Sequence, residues 1–313
     1  MTRAASGDRA AALAALPVGV LRRLRKHYGS LIHEWLRDVP SIVTDLADEW
    51  DLTVLRYHDA GWTAVLAVCE RAGKTYLLKV TPDCERFTRE RAALDHWNGA
   101  PVGSVVQACP SHRALLLRAV AGRPGGAGRP VDDARRVAER LPELHSCGAP
   151  SVGASVPALL DHHRAEVRPR VRERLTRLPH CLDKAMLRTA LAFDAEQLMA
   201  GMEPVMLHAD LYAENITFDE QGQPVFIDPH PMLGPAAYDW AFWCVYYTAE
   251  QFNRRLDLCH ESAAVPFDEA LRHIAVLALD GYLYYLDTDD PRAGSTRAVL
   301  RIATELLATG AQV

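Results

Sequence analysis

Apolar residues recur three or four positions apart over residues 10 to 50, in "LRRLRKHYGSLIHEWL" and "PSIVTDLADEW", which predicts helices. The period then shortens. "LTVLRYH", "WTAVLAVCE" and "TYLLKV" are short runs rich in β-branched and aromatic residues, separated by "DAG" and "RAGK", and they predict a three-stranded antiparallel meander. A helix over 83–97 follows, then strand-like "SVVQAC" and "RALLLRAV". The Gly- and Pro-rich run "AGRPGGAGRP", 121–130, reads as a connector. Beyond it the pattern is helical apart from residues 205–231. The chain thus divides into a sheet-bearing part, 1–118, and a helical part, 119–313.

The exception, "VMLHADLYAENITFDEQGQPVFIDPHP", places polar groups between apolar runs. "NITF" and "PVFID" flank the turn "DEQGQ", which predicts a β-hairpin. Centred between Gln221 and Gly222, that hairpin opposes Asn215 to Asp228. Opposed residues have Cβ atoms roughly 4.5–5.5 Å apart, so an amide oxygen and a carboxylate can converge on one cation. A few hard oxygen ligands, leaving room for water and phosphate oxygens, suit Mg²⁺.

Upstream, His208, Asp210 and Asn215 have the spacing H-x-D-x-x-x-x-N of a kinase catalytic loop, with Ala209 where protein kinases carry Arg. The chemistry needs one carboxylate, Asp210, to orient an acceptor hydroxyl and take its proton, while Asn215 holds metal without competing as a base. His208 has a supporting role in that reading. Such a site also needs a phosphate-binding lysine on the third strand, where Lys79 lies amid apolar neighbours. Its partner is sought on the following helix, which offers Glu85 and Glu90, with Glu90 the deeper. Gly73-Lys74-Thr75 imitates the end of a phosphate loop, but Val68 stands where the upstream Gly is required, so it reads as a hairpin turn. "HDAGWTA" has the single Gly61, so the glycine-rich loop of protein kinases is missing.

Composition narrows the field by exclusion. A net charge of −5 argues against a polyanion partner, so no nucleic acid is expected, and the Arg-rich run 166–178 reads as a solvated helix face. Seven scattered Cys residues without a C-x-x-C pair imply a reduced chain, expected in the cytoplasm. No run is apolar enough to span a membrane.

These segments resemble the aminoglycoside phosphotransferase branch of the kinase-like fold, and within it the streptomycin 6-kinase and hydroxyurea resistance kinase group. The resemblance is carried by "DVPSIVTDLADEWDLTV", "YLLKV", "HWNGAPV", "ALLLRAVAG", "VMLHADLYAENI" and "VFIDPHPMLGPAAYDWAFW", across roughly residues 38–290. It implies an α+β, bilobal protein-kinase-like fold with a small antiparallel-sheet N-lobe and a larger helical C-lobe. It implies ATP and Mg²⁺ as cofactors, Asp210 as catalytic base, Asn215 and Asp228 as metal ligands, and Lys79 with Glu90 at the nucleotide phosphates. The backbone around Arg118 and Val120 would bind adenine, and Asp239 would tie the catalytic loop to the next helix. The implied activity is O-phosphorylation of a small-molecule hydroxyl, with streptomycin or a related aminocyclitol antibiotic as acceptor. A metabolic or biosynthetic kinase, or a nucleotide-binding pseudokinase, are the alternatives. His230 stands where relatives often carry charge or Gly. Asp287, Asp289 and Asp290 in "LDTDDP" are either an acidic wall for a cationic acceptor or an exposed charged loop.

Overall fold

The structure is a computed structural model, and it describes residues 15–120, 122, 129–148, 156–178, 180–192, 198–199, 202–248, 250–262 and 264–309. The helix expected before residue 15 and most of the connector 121–130 lie outside these residues. The chain forms two compact units. One runs to Asp95 and resumes over Gly103–Val120; the other comprises His96–Val102 and the residues from Ala121 onward. The division therefore falls after Val120, and His96–Val102 belongs with the second unit.

In the first unit, helices α1 (Val18–Tyr28) and α2 (His33–Glu49), joined by a 3₁₀ turn, precede β1 (Thr53–His58), β2 (Val65–Arg71) and β3 (Lys74–Val80). Helix α3 (Cys84–His96), β4 (Val105–Cys109) and β5 (Ala114–Arg118) follow. The strands make one antiparallel sheet in the order β1-β2-β3-β5-β4, so β3 is central. The predicted meander is present, although β2 begins at Val65 rather than near Trp62. Arg71 pairs with Lys74 across a two-residue turn in which Ala72 (φ +50°) and Gly73 (φ +72°) are both left-handed, the geometry that matches strand twist. Ala72-Gly73 is thus the hairpin turn, and Lys74 opens β3. Alternate residues of the sheet, among them Val65, Ala67, Cys69, Leu78 and Val80, pack with Val20, Leu24, Val39, Val43 and Leu46 of the two helices. Each valine or leucine among them contributes about 1.5–3 kcal/mol by leaving water. Lys79 lies between Leu78 and Val80 in sequence and therefore projects from the other face.

The second unit holds α4 (Asp133–His145), α5 (Leu159–His162) continuing through a π turn into α6 (Arg168–Arg177), and α7 (Lys184–Leu191). Two small ribbons follow: β6 (Val205–Leu207) pairs with β9 (Met232–Gly234), and β7 (Ile216–Phe218) with β8 (Pro224–Phe226). Helices α8 (Ala236–Tyr246), α9 (Phe252–Glu261), α10 (Phe267–Asp287) and α11 (Arg292–Thr309) complete it. Every residue of α8 from Ala237 to Val245 is buried, with Trp240 and Trp243 packed edge to face at 5.9 Å. Among the described residues no helix is long and apolar enough to cross a membrane.

The β7–β8 hairpin differs from expectation by one residue. Ile216 opposes Phe226 and Phe218 opposes Pro224, so the hairpin centres on Gln221 and Asn215 lies opposite Ile227, not Asp228. The turn explains the shift: the Asp219 carboxylate accepts from the amides of Gln221 and Gln223, and Gly222 takes φ +72°. The Arg-rich run also departs from a uniformly solvated face. Arg170 and Arg174 of α6 turn inward and bond Asp280 of α10.

Candidate active site

The chain leaves β6 through His208 and Ala209, and Ala209 adopts φ +55°, a conformation that costs an L-residue roughly 1–2 kcal/mol. One side chain enforces it. Asp239, fully buried in the first turn of α8, accepts the His208 amide on Oδ2 and the Ala209 amide on Oδ1, both at 2.8 Å. Its carboxylate is favoured at a helix N-terminus, and His145 of α4 closes on Oδ2 through Nε2 at 3.0 Å. Asp239 thus ties the loop to the next helix, and His145 is a third member of the clamp that no sequence spacing announced.

His208 is wholly buried, stacked on Trp97 at 6.3 Å, with Nε2 3.1 Å from the Ile227 carbonyl oxygen. A carbonyl only accepts, so Nε2 carries the proton; burial pushes the imidazole pKa down, so the ring is neutral. His208 is a strut between the loop and the segment that leads from β8 to Asp228.

A 3₁₀ turn, Ala213–Asn215, brings Asn215 back onto Asp210. Asn215 Nδ2 donates to Asp210 Oδ2 at 2.7 Å and to the Asp210 carbonyl at 2.8 Å. Both contacts use the amide nitrogen, which leaves the amide oxygen as the atom able to ligate a cation. Its backbone carbonyl accepts from Ile227 at 2.9 Å, so Asp228 is the next residue beyond the paired position. A slip of one residue turns side chains to the opposite face of a strand. Asp228 escapes that rule by leaving the extended conformation, at φ +52°. The hairpin therefore ends with Asn215 and Asp228 at its open end, as neighbours by offset and not as an opposed pair. An amide oxygen and a carboxylate fit Mg²⁺, which keeps water and phosphate oxygens for the rest of its shell. Among the described residues there is no group of three or more His, Cys, Asp or Glu placed to hold a metal.

In the first unit Lys79 Nζ meets Glu90 Oε1 at 2.7 Å, with side-chain exposures of 6% and 2%. Glu85 pairs with Arg89 instead. At that depth the contact is shielded from solvent, so it is worth more than a surface ion pair. Beyond β5, the Arg118 amide donates to the Ser104 carbonyl and the Ala119 amide to the Thr75 carbonyl. The Val120 amide has no hydrogen-bond acceptor among the described residues.

The acids of "LDTDDP" are mostly engaged by arginine. Asp287 pairs with Arg177 at 2.9 Å, and Asp290 is gripped by Arg292 through Nε and Nη2, which holds its carboxyl down to about 2. Asp289, at φ +51°, is exposed. Asp280, two turns deeper in α10, receives both Arg170 and Arg174, at 2.5 and 3.1 Å. The loop is near charge balance, which fits the exposed charged loop better than an acidic wall. Tyr212, two residues after Asp210, hydrogen-bonds Tyr285 and packs on Phe242 and Tyr246 at 5.1 and 5.4 Å. The loop is thereby anchored on α8 and α10 as well.

Comparison with known proteins bears on the family and the fold. The chain is 26% identical over 234 residues to a streptomycin 6-kinase of Streptomyces glaucescens, covering 72% of this chain and 73% of that protein. It is 28% identical over 241 residues to a hydroxyurea phosphotransferase of Kitasatospora aureofaciens, covering 74% and 68%. Among solved structures, a thermostable mutant of aminoglycoside phosphotransferase APH(4)-Ia, in a ternary complex with AMP-PNP and hygromycin B, superposes with a TM-score of 0.59 at 17% identity. That match covers 87% of this chain and all of the other, which shows the kinase-like fold. Residues 43–274 match the phosphotransferase enzyme family, and the chain belongs to it.

Proposed function

We propose that this protein is an ATP- and Mg²⁺-dependent O-phosphotransferase that modifies a hydroxyl of streptomycin or a related aminocyclitol antibiotic. The observation that carries the reading is the 2.7 Å contact between Asp210 and Asn215 on a loop clamped by Asp239. Asn215 fixes the orientation of the Asp210 carboxylate, which aligns the acceptor hydroxyl and takes its proton as transfer proceeds. Lys79, held by Glu90, neutralises the phosphates that are not transferred. The carbonyl of Arg118 and the amide of Val120 offer adenine one acceptor and one donor. Mg²⁺ on Asn215 Oδ1 and Asp228 would supply positive charge to the phosphate oxygens. The relatives named above act on streptomycin and hydroxyurea, and the substrate class is carried over from them.

A second reading has a specific observation behind it. The pairing of Asp280, Asp287 and Asp290 with arginines removes the net negative charge that a polycationic acceptor seeks and favours a small uncharged acceptor of the hydroxyurea kind. The deciding experiment incubates the protein with Mg-ATP and a panel of streptomycin, other aminocyclitols, uncharged sugars and hydroxyurea, and reads each product mass for one added phosphate. Phosphorylated streptomycin supports the first reading and phosphorylated hydroxyurea the second. ATP binding with no product across the panel sinks both and leaves a metabolic kinase or a pseudokinase.

A further inference from the structure

The turn between β1 and β2 lacks the glycines of a protein-kinase phosphate loop, yet it occupies a defined place. His58, Leu66, Lys79 and Leu115 form one row across four strands, so residues 59–64 begin where the row of Lys79 ends. A glycine-rich loop at that position covers nucleotide phosphates by bringing backbone amides close to them. With only Gly61 in the turn, something else must hold it.

Helix α1 does so from 36 to 38 residues upstream. Arg23 Nε donates to the Gly61 carbonyl at 3.0 Å, and Arg23 Nη2 meets Asp59 Oδ1 at 2.7 Å. Its side chain is 15% exposed, and its guanidinium lies 5.8 Å from the ring centroid of Trp62. One turn further along α1, Tyr28 Oη donates to the Thr63 carbonyl at 3.0 Å, which Thr81 Oγ1 also approaches from the end of β3 at 3.3 Å. The helix backbone itself is in close contact: a Cβ on Gly19 would fall 2.4 Å from Asp59 Oδ1. Three of the five residues from Asp59 to Thr63 are therefore bonded to α1, and a planar five-donor guanidinium is the side chain able to take a carbonyl, a carboxylate and an aromatic face together.

We propose that Arg23 is a nucleotide-positioning residue, which fastens the β1–β2 turn beside Lys79 so that its amides are ordered before ATP arrives. The inference rests on the reading of the first unit as the nucleotide site. Ordering a loop in advance lowers the cost of binding without touching the transferred group, so the effect belongs in the nucleotide KM and less in kcat.

The test compares wild type with Arg23→Ala, Arg23→Lys and Asp59→Asn, each checked for an unchanged circular dichroism spectrum. A nonhydrolysable ATP analogue with Mg²⁺ is titrated by calorimetry and by tryptophan fluorescence, with Trp62→Phe identifying the Trp62 signal. Arg23→Ala is expected to raise the ATP KM and the analogue Kd about tenfold, with a smaller fall in kcat and a shifted Trp62 emission in the free protein. Arg23→Lys, which keeps charge but not the fork, is expected to recover only part of the loss. Asp59→Asn is expected to add nothing in the Arg23→Ala background, since both act through one contact. Unchanged analogue affinity in Arg23→Ala overturns the proposal, as does an equal fall in kcat and affinity explained by lost stability. Failure of wild type to bind the analogue removes the underlying nucleotide reading, and this proposal with it.

Discussion

Asp239 Oδ1 accepts the amide of Ala209 at 2.8 Å and so keeps that residue in a left-handed conformation. Asp239→Asn presents an amide NH₂ to one of the two loop N–H groups that now meet an oxygen. Unfolding free energy should fall by about 3 kcal/mol, since a buried charged acceptor is lost. Displacement of the loop by even about 1 Å should lower kcat on the order of a hundredfold. Ala209→Gly relaxes the strained position and should stay within about 1 kcal/mol of wild type in chemical denaturation.

Asp210→Asn keeps the shape of the site and removes the proposed proton acceptor. Nucleotide affinity measured by calorimetry should be retained, while transfer to the acceptor identified from the panel falls by about two to four orders of magnitude. Full activity in this variant would refute the base assignment.

The Lys79–Glu90 pair should behave as a unit. Lys79→Met and Glu90→Gln are each expected to cost about 1.5–3 kcal/mol in urea unfolding, because each removes a buried charge-assisted hydrogen bond, and the double variant should cost less than their sum since the two share that contact. All three should weaken ATP binding. A cycle with additive costs would show that the two side chains do not depend on each other.

Acid stability should be governed in part by two histidines of the second unit. His163, 6% exposed, has its pKa pushed down from 6.5 to about 4, by burial first and then by His162, with Asp280 opposing and Arg170 reinforcing the shift. His273, 1% exposed, is pushed down to about 3 by burial, by His163 and by Arg272, against a backbone contact at Leu198 that raises it. Both rings are neutral in the fold and protonate more readily when unfolded. Their stabilisation is complete above pH 6.5 and is lost as pH falls toward 4 and then 3, the His163 part being about 3 kcal/mol. Urea midpoints measured from pH 7.5 to 4.5, in steps of about half a unit, should fall steeply in wild type and less steeply in His163→Gln.

What could be read from the chain depended on how local the signal was. The meander, the buried lysine on its third strand and Glu90 two turns into the next helix follow from period and spacing, since strand alternation and helix rise fix where those side chains point. The spacing of Asp210 and Asn215 is likewise short enough for one loop to close on itself. The hairpin register was set by something subtler, the capture of two amides by Asp219, which shifts the turn without changing its composition. Arg23 on Gly61, His145 on Asp239 and Arg170 on Asp280 join residues 38, 94 and 110 positions apart, and no periodicity connects them. Their partners are chosen by tertiary packing. The acids of 287–290 could be read either as a recognition surface or as a charged loop because the arginines that meet Asp287 and Asp290 lie on α6 and at the start of α11.

The left-handed backbone at Asp228 also acts as a filter on what the site can become. Asp, Asn and Gly are the residues that tolerate this conformation cheaply, and of these only Asp offers an anionic oxygen. Lengthening the side chain to Glu would add strain and move the oxygens by a methylene, so the backbone disfavours a substitution that charge alone would allow. If Asp228 holds the metal as proposed, variants that retain the fold but carry Asn or Gly there are where a nucleotide-binding protein without transfer would first arise.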